Sequence, residues 1–343
     1  METKALEELL EKKEEYKKGV LELTKKPEKK VAYHFNCPDG LISAALVKYL
    51  FPKERLVFIP LDYAFFKDEI MVKGLADSDW FAIVDLEPFN HQPAEYFVDH
   101  HISNVNKKFN ANNVYFVAGA PSAAFLIEKL FFNKLPEYLK ELVRMSTVTD
   151  TASYKIPAPL EVNEEPSKMS WDEKIWFLQD VCKSSFTIKE HDELLEILPS
   201  EGWNGLLKNH LIEKVKRLRN KRKISKEIAQ KITLSDFIVI IDNPLHYNLA
   251  YIASELQKRG AVGAVYITVY PSEVKLSFRL SRALSPKEVD KYRVDLLANA
   301  MGGGGHKPAS GAEMNNLEEA LDKINSWAKK KGLKVNTVDL REK

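Results

Sequence analysis

Short apolar runs alternate with stretches of helical periodicity along the first half of the chain. Runs of strand length lie at 31–35, 56–60, 81–85, 96–99 and 114–117. Helical patterns separate them, for example at 41–50 and 121–132. Apolar strands that alternate with helices are typical of a mainly parallel sheet with helices on both faces. The pattern therefore predicts an α/β fold for this N-terminal lobe.

The second half of the chain predicts a helical connector and a smaller α/β lobe. Residues 165–235 carry apolar side chains at helical spacing, and strand-like runs follow at 237–241, 262–269 and 274–280. An amphipathic helix at 317–328 and a strand at 334–340 complete this C-terminal lobe. The predicted domains are a charged N-terminal helix (1–29), a catalytic domain (30–164), the connector (165–235) and a substrate-binding domain (236–343). The apolar positions of the first helix are Leu6, Leu9, Leu10 and Val20.

Acidic and imidazole side chains stand where four hydrophobic segments of the first 150 residues end. They are His34 with the following Asp39, then Asp85, Asp99-His100-His101 and Asp150. A single Asp or His pair at such a place is usually a cap or a surface residue. Because the carboxyl ends of parallel strands meet at one edge of a sheet, four such endings favour a shared site. Nitrogen and oxygen ligands suit a divalent metal such as Mn²⁺ or Zn²⁺.

The C-terminal lobe contains candidate phosphate-binding residues. Consecutive glycines at 302–305 predict a phosphate-binding loop before His306, because glycines let backbone N–H groups approach an anion closely. Arg279 shares one face of a half-buried strand with Ser277, and an arginine can bind a phosphate through two hydrogen bonds. Arg282 is the alternative for that role. The predicted phosphate-binding residues are Arg279, Gly303, Gly304, Gly305 and His306.

Composition and charge narrow the class of protein. A net charge of +2 gives no general attraction to a polyanion, so only the basic stretch at 214–223 suggests nucleic-acid contact, against the alternative of a solvated helix face. Cys37 and Cys182 cannot supply a disulfide framework. The N-terminus lacks a secretory signal, and no apolar run reaches the roughly 18 residues of a spanning helix. The sequence predicts a soluble, cytoplasmic protein without membrane contact.

The order of these motifs resembles the DHH phosphoesterases that carry the DHH-associated C-terminal domain. This family includes RecJ-type exonucleases, nanoRNases that also dephosphorylate adenosine bisphosphate, and cyclic-dinucleotide phosphodiesterases. The resemblance covers residues 30–155 and 236–330. It implies that Asp85 bridges two Mn²⁺ ions, that Asp39, His100 and Asp150 complete one site, and that His34 contributes to the other. It also implies that His101 faces the phosphate and that Asp99 orients its neighbours, so that the catalytic residues are His101, Asp99 and Asp85.

Cys37 departs from the family pattern, which has a second carboxylate two residues before the Asp-Gly of its first motif. A thiolate prefers softer metals such as Zn²⁺, so Cys37 is a further candidate ligand. The alternative is that Cys37 is a small buried residue, as free cysteines often are. Two Mn²⁺ ions remain the expected cofactor, with Mg²⁺, Zn²⁺ or another divalent metal as alternatives.

The expected function is hydrolysis of a phosphoester. Two divalent ions can activate a water and hold the attacking and leaving oxygens of a phosphoryl group. We therefore expect a phosphodiesterase for short single-stranded oligonucleotides, with 3′-phosphoadenosine 5′-phosphate as a further substrate. Alternatives are a RecJ-like single-strand exonuclease, a polyphosphate or cyclic-dinucleotide hydrolase, and a catalytically weak scaffold protein of a replication assembly. A homodimer is one possible oligomeric state of the chain.

Overall fold

The computed structural model describes residues 2–163, 165–244 and 247–341, without the side chains of 2–10 and 64. The chain divides into one unit of residues 7–218 and another of residues 1–6 and 219–343. The side chains of Leu6, Leu9 and Leu10 lie outside the described residues. The boundary between the units falls within one long helix, Asn209–Lys231.

The first unit contains a parallel sheet with strand order β2-β1-β3-β4-β5. Its strands are β1 Lys29–His34, β2 Leu56–Leu61, β3 Trp80–Val84, β4 Ala94–Asp99 and β5 Ala111–Phe116. The side chains of β3 are buried along the whole strand, which explains its unbroken apolar sequence. The α/β fold and parallel sheet predicted for this half of the chain are confirmed.

Helices cover both faces of this sheet. They are α1 Glu2–Thr24, α2 Pro38–Leu50, α3 Glu69–Ala76, α4 Ala123–Phe131, α5 Glu137–Asp150, α6 Trp171–Ser184, α7 Ile188–Glu201 and α8 Asn209–Lys231. On one face, Val31 and Tyr33 of β1 belong to a core shared with α2, α4 and α5. On the other, Ala32 packs with Val20 of α1 and Met71 of α3. This split follows from the alternation of side chains along a strand.

The region predicted as a connector is helical, and most of it contributes to the first unit's core. Ile175 and Leu178 of α6, and Leu194 of α7, are buried in the same cluster as α2 and α5. Both α6 and α7 begin with a capping box, in which a Ser or Thr side chain and a Glu three residues later satisfy the exposed N–H groups.

The second unit contains a mixed sheet with strand order β11-β6-β7-β8-β10-β9. Its strands are β6 Phe237–Asp242, β7 Gly263–Val269, β8 Val274–Leu280, β9 Gly304–His306, β10 Ala309–Met314 and β11 Val335–Asp339. Its helices are α9 Leu249–Lys258, α10 Pro286–Tyr292, α11 Val294–Asn299 and α12 Leu317–Lys331. The β11-β6-β7 part is parallel and the β7-β8-β10-β9 part is antiparallel.

The glycine-rich run differs from the loop expected from its sequence, because part of it is strand β9, which pairs with β10. A Cβ on Gly303 would lie 2.0 Å from the carbonyl oxygen of Gly311. Gly305 has a φ of +136°, a conformation that side-chain-bearing residues rarely adopt. At these two positions glycine is therefore required by the close approach and turn of the hairpin itself.

The basic stretch of α8 is less available than its sequence suggests. Arg219 and Arg222 are buried, with 1% and 4% of their surface exposed. Lys214 forms an ion pair with Glu190. Arg219 and Arg222 therefore lie in the protein interior, and Lys214 already has an acidic partner within the protein. Among the described helices, none has the length and apolar character needed to cross a membrane.

A buried histidine makes a prediction about acid stability. His191 on α7 shares a 3.1 Å hydrogen bond with the Tyr33 hydroxyl, and burial lowers its pKa from 6.5 to about 4. Since the unfolded chain takes up this proton first, stability should be lost as the pH falls from about 6.5 to 4. The loss from this group is up to about 3 kcal/mol.

Urea unfolding at pH 7 and pH 4.5 measures this effect. The wild type should lose more unfolding free energy between the two pH values than His191→Gln, which keeps a polar partner for Tyr33. An equal loss in both proteins would show that His191 does not contribute.

Candidate metal centre

The predicted acidic and imidazole residues meet at the carboxyl edge of the parallel sheet. β1 lies between β2 and β3. The chain therefore moves to one side of β1 to form β2 and then crosses to the other side to form β3. His34 is the last residue of β1, Asp85 follows β3 directly, and Asp99 is the last residue of β4. Ligand sites of open α/β sheets form at this topological switch point.

A close approach between β1 and α2 positions the first motif. Asp39 is the second residue of α2, and Gly40 follows it. A Cβ on Gly40 would lie 2.4 Å from the carbonyl oxygen and 2.8 Å from the nitrogen of His34. Glycine is therefore needed for the start of α2 to pack against the end of β1, which brings Asp39 and His34 to the same place.

The N-terminus of α4 fixes the Asp39 carboxylate. The backbone N–H groups of Ala123 and Ala124 donate hydrogen bonds of 2.6 and 3.0 Å to its two oxygens. Ser122 caps the same helix by accepting a bond from the Phe125 N–H. The sequence pattern predicts the start of this helix within 121–132 but does not single out Ala123 and Ala124. Backbone donors carry no side-chain signal that would single them out.

Asp85 is the centre of the site. Its side chain is fully buried, and its φ of +55° is a left-handed conformation that costs about 1–3 kcal/mol. Among the described residues neither oxygen has a hydrogen-bond partner. The facing groups are imidazole nitrogens of His34, His100 and His101, at 3.4, 3.5 and 3.9 Å. These distances exceed ordinary hydrogen bonds and leave space for an ion between the groups.

His100 is held so that one ring nitrogen faces the carboxylates. Its Nδ1 lies 2.9 Å from the carbonyl oxygen of Ala120, which makes Nδ1 the protonated nitrogen of the neutral ring. Its Nε2 is 3.6, 3.5 and 3.5 Å from carboxylate oxygens of Asp39, Asp85 and Asp150. A backbone carbonyl that orients the other ring nitrogen is a common feature of metal-ligating histidines.

His101 is oriented by Asp99. Its Nδ1 lies 2.6 Å from one Asp99 oxygen, and Asn104 donates a 2.8 Å bond to the other oxygen. The Nε2 of His101 points toward Asp85. The side chain of His101 is 32% exposed, whereas Asp99 is fully buried. Asn104 was not among the residues singled out from the sequence, because an Asn in a turn carries no distinctive pattern.

The electrostatics of the site match a place for a cation. Burial, with the charge of Asp85, raises the pKa of Asp39, and burial also raises the pKa of Asp150. Burial alone would raise the pKa of Asp85 too, but the imidazoles of His100 and His34 hold it below its usual range. In return the surrounding carboxylates raise the pKa of His100 to about 9 against the effect of burial. A divalent ion can replace the protons that balance this negative charge.

Three groups of described side chains have donor atoms close enough to hold a metal. Within each group the donor atoms lie within 4.8 Å of one another. The groups are His34–Cys37–Asp85, Asp85–His100–His101 and Asp39–His100–Asp150. Asp85 belongs to two of them, as a residue shared by neighbouring ions would. The unpartnered atoms of Asp85, His34 and His100 fit a bound metal on chemical grounds.

Cys37 lies at the start of α2, next to the acidic cluster. It is partly exposed and has a free thiol. Burial, together with the carboxylates of Asp85 and Asp39, raises the pKa of Cys37, while the backbone N–H of Gly40 acts in the opposite direction. The structure thus places Cys37 among polar, ligand-type groups.

The second unit brings two of the predicted phosphate-binding residues into one row of its sheet. Arg279 of β8 and His306 of β9 both pair with Ala309 of β10, and both are exposed. Gly304 pairs with Gly311 in the next row on that face, opposite Ser277. Lys307 is paired with Asp290 instead.

No protein-family model and no curated protein matches this sequence. Solved structures with the same fold do. PggH, a pGpG-specific phosphodiesterase from Vibrio cholerae, has a TM-score of 0.60 and 16% identity over 89% of this chain and 99% of that chain. RecJ in complex with Mn²⁺ from Thermus thermophilus has a TM-score of 0.55 and 17% identity, over 94% of this chain and 55% of the RecJ chain.

A third structure, the DHH domain of a member of a family of ribosomal proteins, has a TM-score of 0.56 and 14% identity. It covers 91% of this chain and 87% of that one. The chain spans only about half the length of the Thermus RecJ, but nearly all of PggH. The resemblance to the DHH phosphoesterases is therefore confirmed at the level of the fold: the chain has the two-lobe DHH fold.

The contact between α2 and β1 makes a prediction about Gly40. Gly40→Ala places a methyl group against the backbone of His34, so α2 must shift and Asp39 with it. We expect a loss of about 1–3 kcal/mol in unfolding free energy and weaker Mn²⁺ binding by calorimetry. Gly74→Ala on α3 is the matched control, because its methyl group meets only the side chains of Leu21 and Thr24. Equal Mn²⁺ affinity in the two variants would contradict the account.

The unpartnered carboxylate makes a second prediction. Mn²⁺ at about 100 times its dissociation constant should stabilise the wild type by about 2.7 kcal/mol in thermal unfolding. The isosteric Asp85→Asn should lose this Mn²⁺-induced shift, whereas Asp322→Asn on the exposed surface of α12 should keep it. A full shift in Asp85→Asn would place the metal elsewhere.

Proposed function

We propose that this protein is a divalent-metal-dependent phosphodiesterase that hydrolyses short oligonucleotides, with 3′-phosphoadenosine 5′-phosphate as a further substrate. The observation that carries the proposal is the buried Asp85 carboxylate, which three imidazoles face at the switch point of a DHH fold. The Mn²⁺ named for RecJ structures of this fold supports a divalent metal here too.

The metal ligands in this proposal divide into two sets that share Asp85. One set is His34 with Asp85, and Cys37 beside them; the other is Asp39, His100 and Asp150 with Asp85. Bound divalent ions would lower the pKa of a water and offset the charge that develops on the phosphoryl oxygens.

The protein's own groups would orient the substrate and the ligands. The α4 N-terminus fixes Asp39 through two backbone hydrogen bonds, which act against the burial that raises the pKa of this carboxyl. The Asp99 carboxylate raises the pKa of His101, which favours a protonated ring. In that form Nε2 of His101 donates a hydrogen bond to a phosphoryl oxygen, and Asp99 with Asn104 holds the ring in place.

The second unit carries proposed phosphate-binding groups of its own. Arg279 and His306 project from one exposed row of its sheet, and Gly303 to Gly305 lie in the adjoining hairpin. An arginine and exposed backbone groups recognise phosphate oxygens through charge-assisted hydrogen bonds.

The proposal has two alternatives for substrate length, which are short oligonucleotides and long single strands. Two of the seven basic residues of 214–223 are buried arginines, which removes them from the basic surface that a long strand would follow. PggH, which this chain covers almost completely, is named for a dinucleotide substrate. Both observations favour short substrates over a RecJ-like exonuclease.

Hydrolysis of 5′-labelled RNA and DNA tests the function. The strands range from two to about 24 nucleotides, and the longest of them are longer than the stretch that one single-strand groove binds. With Mn²⁺, the shortest strands should be hydrolysed fastest, and chelation should stop the reaction. Asp85→Asn should lower kcat by ~10³-fold or more, because the metals and their charge stabilisation are lost.

Other outcomes would change the assignment. Processive hydrolysis of the long strands would show a RecJ-like exonuclease. Hydrolysis of polyphosphate or cyclic dinucleotides alone would move the substrate class. If the metal-loaded protein hydrolysed none of these substrates, this result would contradict an enzymatic function and favour a scaffold protein.

A further inference from the structure

One half of the candidate metal centre has a donor set unlike the other half. His34, Cys37 and Asp85 offer one nitrogen, one sulfur and one oxygen donor, and these atoms lie within 4.8 Å of one another. The three residues come from the end of β1, the start of α2 and the residue after β3. They are therefore brought together by the sheet and its first crossover.

This group points to a ligand independently of its cysteine. Asp85 is fully buried, and in the described part of the chain both of its oxygens, as well as Nδ1 of His34, lack a hydrogen-bond partner. Nδ1 of His34 and Oδ2 of Asp85 face each other at 3.4 Å. A buried carboxylate and imidazole arranged in this way need a further group between them.

The other half of the centre has only oxygen and nitrogen donors. Asp39 and Asp150 contribute carboxylates, and His100 contributes Nε2. An oxygen of Asp85 lies 3.5 Å from this Nε2, so Asp85 would be the residue shared by the two halves. Carboxylate-rich sites suit Mg²⁺ and Mn²⁺, whereas a thiolate selects softer ions such as Zn²⁺.

We propose that the centre is heteronuclear, with Zn²⁺ bound by His34, Cys37 and Asp85 and Mn²⁺ bound by Asp39, His100, Asp150 and the shared Asp85. This inference rests on the metal centre of the proposed function and adds the identity of each ion. Three protein ligands of mixed type are also the pattern of catalytic zinc sites, in which a fourth position stays open. The His34 side chain is 26% exposed and Cys37 is partly exposed, so solvent reaches this half of the centre.

The position of Cys37 brings its sulfur to the metal centre. Cys37 immediately precedes Pro38, the first residue of α2, and its Sγ lies within 4.8 Å of donor atoms of His34 and Asp85. Its polar neighbours are metal-ligand types rather than the apolar side chains that surround the second cysteine, Cys182 of α6. Cys182 is therefore a matched control within the same protein.

The experiment uses full-length protein that is stripped with a chelator and refilled from an equimolar mixture of Mn²⁺ and Zn²⁺. Elemental analysis should find one equivalent of each metal in the wild type and in Cys182→Ala. Cys37→Ser should bind Zn²⁺ at least ~10-fold more weakly, since even outer-sphere partners cost 10–100-fold in affinity. Cys37→Asp should take Mn²⁺ in both positions.

Cobalt substitution gives a readout that does not depend on activity. Co²⁺ in the wild type and in Cys182→Ala should produce a near-ultraviolet sulfur-to-cobalt charge-transfer band. The band should be absent from Cys37→Ser and Cys37→Asp, while Asp150→Asn on the other half should retain it. Thermal unfolding of each variant establishes that it is folded.

Two results would overturn the inference. One is a wild type that binds two equivalents of Co²⁺ without the charge-transfer band. The other is equal Zn²⁺ uptake by the wild type and a folded Cys37→Ser. Hydrolysis of dinucleotides by a wild type without the band would leave the proposed function standing and remove this inference. The band in a protein that hydrolyses nothing would remove the function and leave the zinc site.

Discussion

The Asp85 carboxylate is the constraint around which the first unit is arranged. It is fully buried after β3, in a left-handed conformation, and imidazole nitrogens rather than hydrogen-bond donors at normal distance face it. Such a charge is costly to bury unless another charge compensates it. The imidazoles of His100 and His34 provide part of this compensation and hold the pKa of Asp85 below its usual range, and a divalent cation would compensate the charge more completely. Stability and the proposed chemistry therefore depend on the same few atoms.

The sheet and its crossovers explain how these atoms come together. Strand order 2-1-3-4-5 sends the chain away from β1 in both directions, and this opens the carboxyl edge between β1 and β3. Gly40 allows α2 to start against His34, and the N-terminus of α4 holds Asp39 from the opposite side. The proposed metal ligands thus lie at or next to the ends of strands and helices, which limits how far they can move.

Much of this arrangement was predictable from the sequence. Apolar runs that end in His or Asp identified β1, β3 and β4, because a buried parallel strand leaves an uninterrupted apolar record and its polar ending marks the sheet edge. Backbone contributions were not predictable: the Ala123 and Ala124 N–H groups, the Ala120 carbonyl and the turn residue Asn104 have no residue-type signal. The glycine-rich run was expected as a loop, but pairing with β10 makes part of it a strand. Long-range pairing of this kind is set by tertiary contacts, which local composition does not encode.

The fold and this particular chain contribute different parts of the site. The two-lobe DHH fold provides the carboxyl edge of the sheet, and this fold is shared with structures of 14–17% identity. The thiol of Cys37 is a feature of this chain. Anomalous diffraction from crystals grown with Mn²⁺ and Zn²⁺ tests the central claim most directly. The account predicts two metal peaks on either side of the Asp85 carboxylate, roughly 3.5–4 Å apart. Peaks only at other positions, with none beside Asp85, would contradict it.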